Sequence, residues 1–544
     1  MAKERWGSRV GLVLAMAGNA VGLGNFLRFP AQAAQNGGGA FLVPYLISFA
    51  LMGIPLLWVE WAIGRHGGQY GHHSAPGMMD HLGKPWWLKY VGVFGLFTNL
   101  TVAAYYCYIE SWTLAYVWHS IIGTFRNTDP TKFFPDYLGI NEASLFALPM
   151  EALFWFVLTL VLNVWILSRG LAKGIEIAAK IGMPLLIIFG AVLVVRGLML
   201  EPGDPGVQQS ALEGLNFVWN PNLSGLTNPT VWLAAAGQIF FTLSVGMGSI
   251  HCYASYLSSK QDIALNAASA GWMNEFVEVI LGGSLLIPIA TAYLGLAAVQ
   301  AATAGGSGFG LGFLTLPTLF NNWGWFAPIA GAMWFGLLFF AGITSSLAMG
   351  QPIMGFFEAE YKWTRAKAAT VFGLATFALG FWCVWLYAGG SFDEFDFWTG
   401  TFSLVLFALL EVVIFAWIFG IDKGWDEITR GADIVIPRFF RFVIKYVTPV
   451  FILVIFLASL VKPVAGWDAA VASLTSGNGW PFAPDSVIGK VLHAGEENYV
   501  WFDDRGFGTR GLVEDLTRVL LLIVFLTFCF LVWKAWRNKE RSAS

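Results

Sequence analysis

The sequence predicts an all-α polytopic membrane protein of about twelve transmembrane helices. Three observations carry that expectation. Of 544 residues, 57% are hydrophobic and only 12% charged, where a typical soluble domain has about 25% charged residues, and the mean hydropathy is +0.64. Long apolar runs recur along the whole chain, among them 41–63, 153–167, 181–195, 327–349 and 519–532. Basic residues then cluster in alternate connections. Lys3, Arg5 and Arg9, Arg169 and Lys173, Lys362 to Lys367, and Lys534 to Arg541 fall in one set, whereas 298–324 holds no Lys or Arg. By the positive-inside rule this places both termini in the cytoplasm, in agreement with an even number of spans.

The spans are expected, in order, at 9–35, 40–65, 88–120, 150–168, 174–197, 230–256, 262–297, 325–357, 367–388, 396–420, 440–463 and 514–535. The segment 465–514 is long, rich in Gly, Pro and Trp, and has no assigned role. A net charge of −3 gives no reason to expect a nucleic-acid partner. Cys107, Cys252, Cys383 and Cys529 lie in apolar stretches without ligand spacing and read as core residues. The short basic N-terminus runs straight into a span, with no small-residue cleavage site.

Two spans are irregular. The first contains AMAGNAVGLGN, with Gly18, Gly22 and Gly24; the sixth contains FFTLSVGMG, with Thr242, Ser244, Gly246 and Gly248. Glycine costs a helix about 1 kcal/mol relative to alanine, so such clusters invite unwinding, although small residues also serve close helix packing. The interruptions stand five spans apart, an odd number, so the second half enters the membrane in the opposite sense. Interrupted helices at matching positions of two halves mark a transporter's midplane site.

An unwound turn in the bilayer frees carbonyls that need partners. Sodium, a hard cation, satisfies carbonyl and hydroxyl oxygens, while half-helix N-termini favour a carboxylate. A zwitterionic amino acid suits both kinds of helix end. Asn25, Asn274 and the triplet Thr344–Ser345–Ser346 add polar groups to the breaks, and Glu60, Glu110, Glu275, Glu278 and Glu411 are intramembrane carboxylates, functional candidates by default. Glu278 follows Asn274 by one turn on the same face. Gly22-Leu-Gly24 lacks the strand context of a dinucleotide loop. No HExxH, GxSxG or P-loop occurs, so no enzyme is expected.

NAVGLGNFLRFP (Asn19–Pro30), NGGGAFLVPY (Asn36–Tyr45), YIESW (Tyr108–Trp112), GQIFFTLS (Gly237–Ser244), NEFVEVILGGS (Asn274–Ser284) and FFAGITSS (Phe339–Ser346) resemble the neurotransmitter:sodium symporter family, most of all its bacterial leucine-transporter branch. The resemblance runs through spans one to ten and into eleven. It implies a 5+5 inverted repeat, 1–197 and 198–420, with broken helices 1 and 6, followed by two further spans in 421–544. It also implies Na⁺-driven import by alternating access across a bacterial inner membrane.

Carried over by residue, the resemblance implies one sodium site from the Ala20 carbonyl, Asn25, Thr242, Asn274 and the substrate carboxylate. A second would use the carbonyls of Gly18, Val21 and Ala341 with Thr344 and Ser345. Gly24 and Tyr106 would meet the substrate carboxylate. Carbonyls near Ala20, Phe241 and Thr242, with Ser244, would meet its ammonium. Val102, Phe241, Met247, Ser345 and Met349 would line the side-chain pocket. Gly22 stands where amine-carrying members have aspartate, which favours a substrate that brings its own carboxylate. Glu278 stands where chloride-dependent members have serine, beside Tyr45, Gln238 and Thr242, so no chloride is expected, and Glu278 is a candidate for H⁺ counter-movement.

Arg28 and Asp396 resemble an outer gate, with Tyr106, Phe241 and Phe309 above the ligand. Lys3, Trp6 and Tyr256 match an inner gate whose aspartate falls at Ala359, leaving Glu358 or Glu360 as substitutes or Lys3 with another partner. Met247 and Met349 replace Phe and Ile of the leucine-transporter pattern; methionine is adaptable, so the pocket is expected to take several apolar side chains. The reading is thus a Na⁺-coupled importer of neutral, hydrophobic L-amino acids. Carriage of another small solute, or ligand sensing without transport, stands as the alternative.

Overall fold

The computed structural model describes residues 4–140, 145–303, 308–496, 499–502 and 508–543. The first span is two half-helices, α1 (Arg9–Ala20) and α2 (Leu23–Gln35), bent by 63°. Then follow α3 (Gly39–Gln69), α4 (Leu88–Ile121), α5 (Met150–Ser168) and α6 (Leu171–Leu198). The sixth span is again split, into α7 (Pro229–Leu243) and α8 (Ser249–Ala254). The rest are α9 (Ala264–Leu294), α10 (Ala327–Tyr361), α11 (Arg365–Trp385), α12 (Ser391–Thr429), α13 (Phe439–Leu460) and α14 (Arg510–Ala543). The two split spans and the ten continuous ones make the expected twelve.

Both breaks follow from local chemistry. Ser8 caps α1 through Gly11 N–H at 3.0 Å, and the helix stops where Val21 (ψ 102°) and Gly22 (ψ −170°) turn extended. The Gly22 N–H, which would bond the Gly18 carbonyl in a continuing helix, instead donates to Asn25 Oδ1 at 2.8 Å. In the sixth span Ser244 (φ 54°), Gly246 (φ 73°) and Gly248 (φ 91°) adopt left-handed backbone, the region open to glycine. A β-carbon on Gly246 would meet the Leu404 carbonyl at 2.2 Å, so the break is also a close approach between α7–α8 and α12.

Burial orders the bundle. In α4, 94% of the apolar window is buried, against 22% in α14; α4 is the central post and α14 a peripheral helix facing lipid. The tenth span begins at Ser391 rather than near 396, and its helix is interrupted near the expected end, at Gly420 (φ 96°), before Ile421–Thr429 carries on. Charged residues that read as boundaries are partnered in place: Glu394 accepts from Lys490 (2.8 Å) and Arg518 (2.7 Å), and Glu427 from Arg65 (2.8 Å). Among its described residues, the segment between α13 and α14 carries two short helices, Trp467–Thr475 and Val487–Val491. Its Lys490 ties it to the start of α12.

Candidate functional site

The two breaks face each other across a tight cavity of about 20 Å³. Ala20 and Gly24 come from the first break, Val102 and Tyr106 from α4, and Phe241, Thr242, Ser244 and Met247 from the second break. Ser345 and Met349 come from α10. All ten residues expected to contact a substrate therefore line one cavity. Gly22, Asn25, Tyr105, Gly400 and Leu404 complete the wall. The last three had not been picked out, because a single tyrosine and two residues of the tenth span carry no local signal of facing a cavity.

At one end of the cavity Ser345 Oγ lies 3.1 Å from the Gly18 carbonyl, 3.2 Å from Val21 and Ala341, and 3.4 Å from Asn19. Thr344 Oγ1 lies 3.2 Å from Ala341 O and 3.0 Å from Phe340 O. A hydroxyl has one proton to give, so most of these oxygens point lone pairs at one another. Such a surplus of acceptors fits a hard cation. The approach needs glycine: a β-carbon on Gly18 would stand 2.9 Å from Thr344 Cβ.

A second polar cluster joins α2, α7 and α9. Asn25 Nδ2 donates to Asn274 Oδ1 (2.8 Å), Asn274 Nδ2 to Thr242 Oγ1 (3.0 Å), and Thr242 Oγ1 to Glu278. Glu278 is fully buried. It also accepts from Tyr45 (3.0 Å), Gln238 (2.5 Å) and Asn274 (3.3 Å). A π-helical turn, Phe276–Gly282, carries it, a distortion frequent at functional positions. Here the oxygen set includes the side chain of a glutamate. Glu275 joins this cluster through the Tyr45 hydroxyl at 3.1 Å, a link between neighbouring carboxylates that chain order alone does not reveal.

Between the two clusters the Leu23 N–H at the start of α2 donates to Tyr106 Oη at 3.0 Å, leaving the tyrosine proton for an anionic acceptor beside a helix N-terminus. A β-carbon on Gly22 would meet Tyr106 Oη at 2.7 Å, so the chain itself offers no side chain there. Ser244 Oγ crosses to the Asn19 carbonyl (3.0 Å) and couples the two breaks.

The roof is formed by Phe241, with the Arg28 guanidinium 4.5 Å from its ring centroid. Asp396 accepts from Tyr105 Oη at 2.8 Å, and no Arg28–Asp396 ion pair forms within 4.0 Å among the described residues. Phe309 packs on Trp112 at 5.6 Å rather than on the cavity wall. Toward the other face, Trp6 donates to the Tyr253 carbonyl (3.1 Å) and Tyr256 Oη accepts from Gln351 (2.8 Å). Arg365 links Gln351 (2.9 Å), Glu4 (2.9 Å) and Glu358 (3.7 Å). Lys3 lies outside the described residues. Glu360 is engaged by His72 (2.7 Å) and Lys539 (2.5 Å). The Arg365–Glu4 pair was missed because its members are 361 residues apart; the only hint was a basic residue just past the eighth span.

The model of the sodium:neurotransmitter symporter family matches residues 3–134 and 149–469. An uncharacterized sodium-dependent transporter of Methanocaldococcus jannaschii is 31% identical over 468 residues, covering 83% of this chain and 89% of that protein. A sodium-dependent nutrient amino acid transporter of Drosophila grimshawi is 25% identical over 499 residues, 84% of this chain and 77% of its own. The crystal structure of MhsT in complex with L-phenylalanine superposes with a TM-score of 0.72 at 32% identity, covering 84% of this chain and all of that one.

Proposed function

The chain belongs to the sodium:neurotransmitter symporter family, a family of secondary transporters rather than enzymes, and on that premise we propose that it imports neutral, hydrophobic L-amino acids with Na⁺. The observation that carries this reading is one cavity bounded by two oxygen clusters, with a side-chain-free glycine at its centre. In this reading one Na⁺ sits among Gly18, Val21, Ala341, Thr344 and Ser345. A second sits among Ala20, Asn25, Thr242 and Asn274, where the substrate carboxylate completes the shell. The carboxylate also takes the Tyr106 proton and the Gly24 end of α2, as the helix dipole favours. The ammonium meets the carbonyl end of α7 and Ser244, and the apolar side chain packs among Val102, Phe241, Met247 and Met349. L-phenylalanine bound to MhsT supports an apolar substrate.

Alternating access follows from the breaks: α1 and α8 tilt against α2 and α7 because no continuous backbone ladder resists them. The two inverted halves, 1–197 and 198–420, move about the cavity, with 421–544 outside the repeat. Arg28, Asp396 and Phe309 close the outer side, and Trp6, Tyr256 and the N-terminal basic residue Lys3 the inner side. Both termini face the cytoplasm of a bacterial inner membrane, as the basic connections support. Glu278 supplies the charge that chloride provides elsewhere, so transport needs no chloride, and its protonation on the return stroke exchanges H⁺ for Na⁺.

Purified protein in liposomes should accumulate labelled hydrophobic amino acids only with an inward Na⁺ gradient, with or without chloride. Uptake indifferent to Na⁺ would refute the proposal, and Na⁺-dependent binding without accumulation would make the protein a sensor. Competition by each standard amino acid defines the substrate, and a non-amino-acid solute that wins would replace the proposed class.

A further inference from the structure

The transport reading closes the inner side with an N-terminal basic residue, but the position matching its acidic partner is Ala359. The cation found there belongs to the opposite wall. Arg365 opens α11 and is largely shielded, with 16% of its side chain exposed. Its Nε donates to the Leu167 carbonyl at the end of α5 (2.8 Å), and Nη2 donates to Gln351 Oε1 of α10 (2.9 Å). Those bonds fix the guanidinium to helices that carry no break. Nη1 then reaches Glu4 Oε2 at 2.9 Å, in the segment that leads into α1.

Glu4 has a shaped seat. Its Oε1 lies over Gly170 (φ 91°), where a β-carbon would stand 2.8 Å away. Among the described residues it has no other ion-pair partner. The contacts continue to the second break: Gln351 Nε2 donates to Tyr256 Oη (2.8 Å), just beyond α8, and that ring stacks on His73 at 4.3 Å. One arginine thus joins the segment before α1 and the end of α8 to α5 and α10. An exposed ion pair contributes little. This one is shielded and bonded through all three guanidinium nitrogens, so parting it is costly.

A second carboxylate stands beside the first. Glu358 Oε1 of α10 lies 3.7 Å from the same Nη1 and is buried without a hydrogen-bond partner. That distance is too long for a hydrogen bond, yet a small turn of the guanidinium would make one. A tilt of α1 that carries Glu4 away leaves Arg365 anchored on Leu167 and Gln351, with Glu358 in reach. The bond Glu358 lacks in the closed form is a cost that the departure of Glu4 relieves.

We propose that Arg365 is the cation of the inner gate, with the polarity reversed: the acid, Glu4, rides on the moving N-terminal segment and the base stays on the fixed wall. Arg365 holds Glu4 in the closed form and passes to Glu358 when α1 swings out. The proposal rests on the alternating-access reading.

Cys252 of α8 reports the opening. It is a fully buried free thiol beside Tyr256, within electrostatic reach of Glu4, Glu358 and Arg365. In the full-length protein carrying Cys107→Ala, Cys383→Ala and Cys529→Ala, its alkylation by a charged maleimide is timed without substrate. Glu4→Gln should speed labelling about tenfold, whereas Glu358→Gln should slow it several-fold. A contact that merely holds the fold together would speed labelling in both variants. That result, or equal rates in all three proteins, would overturn the proposal. In an Arg365→Gln background both changes should lose their effect, and persistence of either would overturn it too. If Arg365→Gln does not fold, the opposite signs of the first two variants still decide. The readout needs neither Na⁺ nor an amino acid, so it can fail while Na⁺-driven uptake holds, and hold where the proposed substrate fails.

Discussion

The two oxygen clusters flanking the cavity are built from opposite materials. Around Ser345 the polar groups are carbonyls and hydroxyls, with no charge. Around Thr242 and Asn274 they include the buried carboxylate Glu278. In the proposed function a cation in the neutral cluster would be held only while its carbonyls converge, so its binding would report how the first span sits against α10. A cluster with a carboxylate attracts a cation at longer range and answers to whatever else neutralises that charge. On that proposal the neutral cluster would respond to shape and the carboxylate-bearing one to charge.

The largest expected effect breaks that difference. Glu278→Ser removes the carboxylate, and uptake should fall to background in chloride-free medium and return when chloride is added. Uptake of the variant measured in chloride against gluconate checks it; equal uptake in both would show that Glu278 does not stand in for an anion. Next come the hydroxyls. Thr242→Ala and Thr344→Ala each remove one oxygen, worth about 1–3 kcal/mol in a buried site, or roughly five- to 150-fold in Na⁺ affinity. Only Thr242→Ala should also weaken the substrate, because in the proposed arrangement the substrate carboxylate shares that ion. Na⁺ titrations with and without amino acid separate the two, and identical losses would erase the proposed asymmetry.

The smallest effect concerns the pocket. Met349→Ala removes about 2–3 kcal/mol of apolar contact at most and should shift preference by a few-fold toward bulkier side chains. Competition by phenylalanine and tryptophan against leucine measures it, and an unchanged ranking would remove Met349 from the pocket wall.

The cavity wall was legible residue by residue because its members lie in contiguous motifs around the breaks. The Gly18–Asn25 and Thr242–Gly248 clusters announce themselves by composition, and Thr344–Ser345 by a polar triplet in an apolar run. Tyr105, Gly400 and Leu404 were not legible, since nothing in an apolar helix marks which face meets a void. The Arg28–Asp396 couple shows the opposite case: motif position brought both residues to the roof, but the Tyr105 hydroxyl and the Phe241 ring are their partners here.

Composition and the order of apolar and basic segments determine by themselves that this chain crosses the membrane about twelve times and breaks its first and sixth spans. Those properties are local: hydrophobic length and glycine conformational freedom act within a few turns of helix. Which oxygens converge on Ser345 and which partners answer Arg365 were decided only by tertiary structure. Each joins spans far apart in the chain, and in an apolar interior a polar group takes the partner that packing brings to it.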